Sequence, residues 1–235
     1  MVALADVFRL GYFADDFIFL NAVGRPQEAS AEILKAAELE PLSVLIHRDV
    51  AWHPFFQRRY AEAAAQLRRT LALVPRYAPA RSLLGRVLIE DGKAEEGLRE
   101  LHGVAPDLPR STAAALLAYG EAAAGRRARA AGLLGELAAI ATREYVSPYS
   151  VALVHARLGR SSDALGWLEK AFAEQDTTMV NLRADPRWDP LRDHPRFKAL
   201  VARMGFPPSR GGERALTSLH HEDKRKGEPP WQRSS

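Results

Sequence analysis

Gly92-Lys-Ala-Glu-Glu-Gly97, Gly125-Arg-Arg-Ala-Arg-Ala130 and Gly159-Arg-Ser-Ser-Asp-Ala164 are three versions of one phrase, a glycine followed five residues later by a very small side chain. Gly24 leads to Ala29 in the same way, and Arg58 leads to Ala63 with the same spacing. The first members stand at 24, 58, 92, 125 and 159, at intervals of 34, 34, 33 and 34. Pro41, Pro75 and Pro109 keep the same 34-residue beat. One marker held over five cycles, with a second in phase over three of them, specifies an internal repeat, one supersecondary unit stacked on copies of itself.

Each mark has a physical reading. The glycine ends one helix in the left-handed conformation, where it meets the least steric cost. The small residue five positions on lets two antiparallel helices approach closely. The proline falls where the second helix has finished. The second helices are expected near 28–40, 61–74, 94–101, 128–142 and 162–174, rich in Ala, Leu, Glu and Arg. Ala64, Leu67, Leu71 and Val74 make one apolar stripe at helical spacing, and Leu165, Leu168, Ala171 and Phe172 another. No stretch offers sustained strand alternation. The fold expected is all-α.

The pattern resembles the tetratricopeptide repeat, a helix–turn–helix unit. The frames are 10–43, 44–77, 78–110, 111–144 and 145–178. Ala51, Ala63, Leu67 and Pro75 carry the match in the second, and Leu84, Gly85, Leu88, Leu101 and Pro109 in the third. Leu117, Ala118, Ala130, Leu134 and Leu137 carry it in the fourth, Val151, Ala152, Ala164, Leu168 and Ala171 in the fifth. The first rests on Phe13, Phe17, Ala29, Ile33, Ala36 and Pro41. The resemblance implies a right-handed α-solenoid of about five helix pairs with a C-terminal cap. The stretches 143–149, 164–172 and 185–197 are also similar to the closing segment of tetratricopeptide regions in bacterial multidomain regulators, linked there to winged-helix, kinase or cyclase domains. Only nine residues precede the first frame, so no effector activity of that kind is expected from this sequence.

Some positions depart from the pattern. Pro54 removes a backbone bond to Val50 inside the first helix of the second repeat, which costs about 3 kcal/mol or bends the helix. Thr70 and Gly97 stand where the family has alanine, which should loosen those turns. The fourth repeat lacks the closing proline, so its second helix is expected to run to about Thr142.

A solenoid also needs covered ends. Residues 185–204 suit the C-terminal cap, with Asp189-Pro190 and Asp193 expected to open helices and Trp188, Leu191, Phe197, Leu200, Val201 and Met204 supplying a buried side. The dense Asp, Pro and Arg there also suit a binding loop, but the continuing apolar spacing favours capping. Phe8, Tyr12, Phe13, Phe17, Ile18 and Leu20 predict a helix over 5–22 whose aromatic face can self-associate or dock a partner. From 209 to 235 the chain turns to Gly, Ser, Pro and charge, with a net +2, and reads as a disordered tail.

Composition excludes several classes. The 235 residues carry no cysteine, so there is no disulfide framework and no thiolate chemistry. A net charge of +4 with acids interleaved does not point to nucleic acid; Arg68-Arg69, Arg126-Arg127 and 224–226 read as solvated basic patches. No apolar run approaches the ~18 residues of a membrane span, and Met1 to Leu20 carries Asp6, Asp15 and Asp16 without a basic leader, consistent with a cytoplasmic chain. No HExxH, GxSxG, P-loop or GxGxxG occurs. The seven histidines have no metal-ligand spacing, and His220-His221 in the tail would chelate only adventitiously. No catalytic residue, cofactor or metal is expected.

A binding scaffold remains. In the family the first helix of each pair lines the concave face. Carried onto this sequence, its inner positions are Leu45, Arg48, Trp52, Phe55 and Phe56, then Ser82, Arg86, Ile89 and Glu90. They continue as Thr112, Ala115, Tyr119 and Ala122, and as Val146, Tyr149, Leu153, Ala156 and Arg157. Arg48, Trp52, Phe55, Arg86, Glu90, Tyr119, Tyr149, Leu153 and Arg157 are the candidate ligand contacts, since aromatics and arginine dominate binding hot spots. Trp52 and Phe55 equally suit packing between helices. Arg48, Arg86 and Arg157 on one wall imply a protein or peptide ligand with acidic side chains or a free carboxylate, and Glu90 implies mixed character. The family's carboxylate-clamp residues are absent, replaced by Trp52, Arg86, Tyr119 and Leu153, which argues against chaperone-tail binding of that kind. The same module acting through a separate effector in a bacterial signalling or transcription system, or a remnant of a longer regulator, is the alternative.

Overall fold

In the computed structural model the described residues are 20–21 and 24–206. The expected N-terminal helix, apart from Leu20 and Asn21, and the tail from 209 lie outside them. The described residues form eleven α-helices and no strand. They are α1 (Pro26–Leu39), α2 (Val44–Val50), α3 (Trp52–Phe56), α4 (Tyr60–Leu73), α5 (Ala78–Glu90), α6 (Ala94–Val104), α7 (Arg110–Ala123), α8 (Arg127–Ile140), α9 (Pro148–Arg157), α10 (Ser161–Ala173) and α11 (Pro195–Arg203). Short 3-10 turns cover Ala105–Asp107, Thr177–Asn181 and Pro186–Leu191.

The repeat mark folds as its chemistry dictates. Gly24, Gly92, Gly125 and Gly159 all have φ between +74° and +80°. At the second position of the series Arg58 adopts the same conformation with φ of 60°, at a cost of about 1–2 kcal/mol for a residue with a Cβ. In every case the next residue's N–H reaches five residues back. Arg25 bonds to the Leu20 carbonyl, Arg59 to Pro54, Lys93 to Leu88, Arg126 to Glu121 and Arg160 to His155, at 2.7–2.9 Å. This closes the first helix and opens the second in one turn, and none of the five second helices has a side-chain N-cap.

Consecutive pairs α5–α6, α7–α8 and α9–α10 pack most extensively, and each pair rests on the next, so the molecule is an α-solenoid. Ala29, Ala63, Ala130 and Ala164 are fully buried at the crossings. Gly97 is buried too, and here the expectation of a loosened turn is corrected. Gly97 faces Gly85 across the α5–α6 pair, where an added Cβ would stand 2.5 Å from the Gly85 carbonyl oxygen. The glycines permit a closer approach than alanine would. Pro54 acts as anticipated: the first helix of the second repeat is broken at Ala51 into α2 and α3. In the fourth repeat the second helix ends at Ile140, two residues short of the expected limit.

The C-terminal cap differs from its sequence reading. Asp185, not Asp189, caps the turn Pro186–Leu191, its side chain accepting from the Arg187 N–H at 3.0 Å. His194, not Asp193, caps α11, accepting from the Arg196 N–H at 3.2 Å. Asp193 instead reaches out to Lys198 at 2.9 Å. Trp188, Leu191, Phe197 and Leu200 are buried in the core shared with α9 and α10, and Val201 and Met204 pack against it. The segment 177–192 does more than cap. It crosses the face formed by the first helices of the pairs, from α9 to the turn at Arg58, where the Arg58 guanidinium grips the Asp189 carboxylate with two bonds of 2.6 Å.

Candidate ligand-binding face

The inner positions of α5, α7 and α9 converge because a single solenoid step separates them. Between these helices and the crossing segment lies a pocket of about 300 Å³. Arg86 from α5, Tyr119 from α7, Tyr149 and Leu153 from α9, and Arg187 from the crossing segment line it. The remaining wall is hydroxyl-bearing or apolar, with Thr112 and Tyr145 exposed at its rim. Among the described residues no aspartate or glutamate lines it.

A buried polar network fixes one side. The Trp188 Nε1–H donates to the Tyr149 hydroxyl at 2.7 Å, which donates to the Asp185 carboxylate at 2.8 Å. Arg187 donates to that carboxylate from Nε and Nη2 at 2.6–3.0 Å. Burial pushes the Asp185 pKa up, but the Arg187 charge and its hydrogen bonds prevail and hold the carboxyl below the usual range. Burial and the adjacent carboxylate push the Tyr149 hydroxyl well up, so it stays protonated. The Arg187 guanidinium then lies 6.0 Å from both the Phe55 and the Tyr119 ring centres, bridging the second and fourth repeats.

A second network neutralises another part of the face. Glu90 accepts from the Tyr119 hydroxyl and, at 2.8 Å, from Arg157, whose guanidinium lies 5.2 Å from the Tyr119 ring centre. Arg48 donates to Asp49 at 2.7 Å. Of the three arginines expected on this wall, two are paired with a carboxylate and one is not. Arg48 and Arg157 have carboxylate partners, whereas Arg86 makes no hydrogen bond or ion pair with any described residue, and its Nε is buried without a partner. Its guanidinium sits 5.0 Å from the Trp52 ring centre. Burial, aided by the Arg187 charge, pulls the Arg86 pKa down to about 9, so it is still charged at neutral pH.

The other candidates divide by burial. Phe55 and Tyr149 are 0% exposed and serve as core, Phe55 edge-on against Trp52. In this arrangement Phe55 offers no surface to a ligand, and Tyr149 only backs the pocket wall. Tyr119 and Leu153 are nearly buried at the pocket wall, and Trp52 is half-buried. Sequence reasoning misses Arg187 because inner-face positions are defined only for the first helices of repeats. The run of Asp, Pro and Arg at 185–197 is its one signal, and the apolar spacing there speaks for capping.

The fold and the pocket together define a helical-repeat solenoid whose inner face carries a basic, partly apolar recess. Residues 57–118 match the tetratricopeptide repeat family, a span covering α4 to α6 and most of α7. A solved structure of a mutant of MamA is similar at 20% identity and a TM-score of 0.44, over 72% of this chain and 98% of that one. None of the curated proteins compared with the chain matches it. Among the described residues no helix is long and apolar enough to cross a membrane, and no cluster of His, Asp or Glu is arranged to hold a metal ion.

Proposed function

We propose that this protein is a non-catalytic interaction scaffold that binds a peptide or protein segment on its concave face. The observation that carries the reading is the pocket of about 300 Å³ between α5, α7 and α9, open to exposed rim residues and floored by an arginine without a carboxylate partner among the described residues. Tetratricopeptide repeats over 57–118 support a protein ligand, because stacked helix pairs offer an extended inner surface. Trp52 supplies an apolar contact and Arg86 the charge. Attraction through exposed charge falls with salt, over a screening length of about 8–10 Å. A cytoplasmic setting and an acidic or mixed ligand belong to the same reading.

The test identifies partners by cross-linking to the intact chain and then measures affinity for Thr112→Arg, which sets a bulky cation at the pocket rim. Exposed Arg99 on α6, changed to Glu, is the control. Loss of binding with Thr112→Arg alone supports the inner face. Equal affinity for Thr112→Arg and the parent refutes it and moves the search to the opposite face or the N-terminal aromatic segment.

A further inference from the structure

We infer that the pocket between α5, α7 and α9 takes a single carboxylate carried on an apolar body, with Arg86 as its counter-charge. Charges taken out of water are paired in folded proteins, because an isolated one loses its hydration without compensation. Arg187, which also lines the pocket, obeys this with Asp185, and so do Arg48 with Asp49 and Arg157 with Glu90 on the same face. Arg86 alone lacks a carboxylate, and its Nε is buried without a hydrogen-bond partner among the described residues. Its position is nonetheless held, by the stack on Trp52 at 5.0 Å.

Net charge selects the ligand. Each pair is neutral, so Arg86 is the one of these arginines left with a positive charge and no counter-charge within bonding reach. One carboxylate balances it and matches the planar guanidinium fork. A phosphate monoester brings about −1.5 to −2 charges and would leave negative charge in excess. A neutral ligand would leave Arg86 as it stands. The rest of the lining selects what the carboxylate is attached to: Ala115, Leu116, Val146 and Leu153 form an apolar wall, and among the described residues no acid lines the pocket, the carboxylate of Asp176 lying behind it on the Ser147 hydroxyl and the Tyr149 N–H.

This rests on the scaffold reading only for the source of the carboxylate. A protein segment would supply it from an acidic side chain or from a C-terminus ending in an apolar residue; a free organic acid would supply the same chemistry. The experiment uses the full chain, with calorimetric titration and tryptophan fluorescence, to which Trp52 contributes, as readouts. The probes are hexanoate, hexanamide as its neutral isostere, acetate, inorganic phosphate, and an apolar-ended peptide with a free or an amidated C-terminus.

Hexanoate is expected to saturate and to bind at least about tenfold tighter than hexanamide, because a hydrogen bond to a charged group is lost in the amide. Acetate and phosphate should bind more weakly than hexanoate. Arg86→Lys should weaken binding several-fold, since a point charge replaces the fork. Arg86→Met should abolish it while the chain keeps its helicity and melts no lower than the parent, which a merely structural arginine would not allow. Equal binding of hexanoate and hexanamide, tighter binding of phosphate, or unchanged hexanoate binding by Arg86→Met overturns the inference. Hexanoate binding without binding of either peptide supports the pocket and counts against the scaffold. A protein partner held on the inner face with no hexanoate binding does the reverse.

Discussion

The α5–α6 crossing supplies a test in which local and tertiary effects have opposite signs. Glycine inside a helix is worse than alanine by about 0.5–1 kcal/mol, because it has more backbone entropy to lose. The family also has alanine at the Gly97 position, so propensity and family pattern agree that Gly97→Ala should stabilise. Packing says otherwise. The new Cβ would lie 2.5 Å from the Gly85 carbonyl oxygen, 2.8 Å from Ile89 Cγ1 and 3.1 Å from the Ile89 nitrogen. Two of these are backbone atoms, which cannot rotate away. Helix α6 cannot simply retreat either, since its Leu98 is pressed against Gly120 of α7, where an added Cβ would come within 2.7 Å of Leu98 Cδ1. Overpacking of this kind costs about 1–3 kcal/mol or more, so the net effect is a loss of about 0.5–2 kcal/mol. Gly132 in α8 is the control: it is exposed, with nothing within 4 Å of an added Cβ. Gly132→Ala should therefore gain about 0.5–1 kcal/mol. Thermal unfolding of both variants reads the difference, at about 2–4 °C per kcal/mol for a chain of this size. If Gly97→Ala raises the melting temperature as Gly132→Ala does, the close approach of α5 and α6 is wrong.

Three further outcomes are expected. Tyr149→Phe removes the acceptor of the Trp188 indole N–H and a donor to Asp185, all buried; urea unfolding should register a loss of about 1–3 kcal/mol. Asp185 has its folded pKa below the unfolded value of about 3.9, so its contribution is complete above that pH and lost as pH falls through the lower folded value. Melting temperatures followed below pH 4 should therefore fall more steeply for the parent than for Asp185→Asn, which begins less stable at neutral pH. Arg58→Gly relieves a left-handed arginine by about 1 kcal/mol and breaks the half-exposed bridge to Asp189, worth up to about 1 kcal/mol. The two nearly cancel in the parent, while in an Asp189→Ala background only the gain should appear in denaturant titration.

The repeat is legible in the sequence because its determinants are local. A residue at positive φ, a small residue five positions on and a proline after the second helix act over a few residues, and each imposes the same turn wherever it recurs. The same reasoning places the break at Pro54, since the missing N–H is a property of one residue. What the linear pattern cannot supply is everything decided across turns of the solenoid. Gly97 reads as a weakened alanine because its partner, Gly85, lies on the neighbouring helix. Asp185 and His194 take the capping roles expected of Asp189 and Asp193 because the chain's path across the inner face, fixed by burial of Trp188 and the grip of Arg58 on Asp189, sets which side chain meets which free N–H. Charge shows the same division. Sequence places Arg48, Arg86 and Arg157 on one wall, but whether an arginine is free depends on acids that only folding brings near, and Asp49 and Glu90 leave Arg86 alone unpaired.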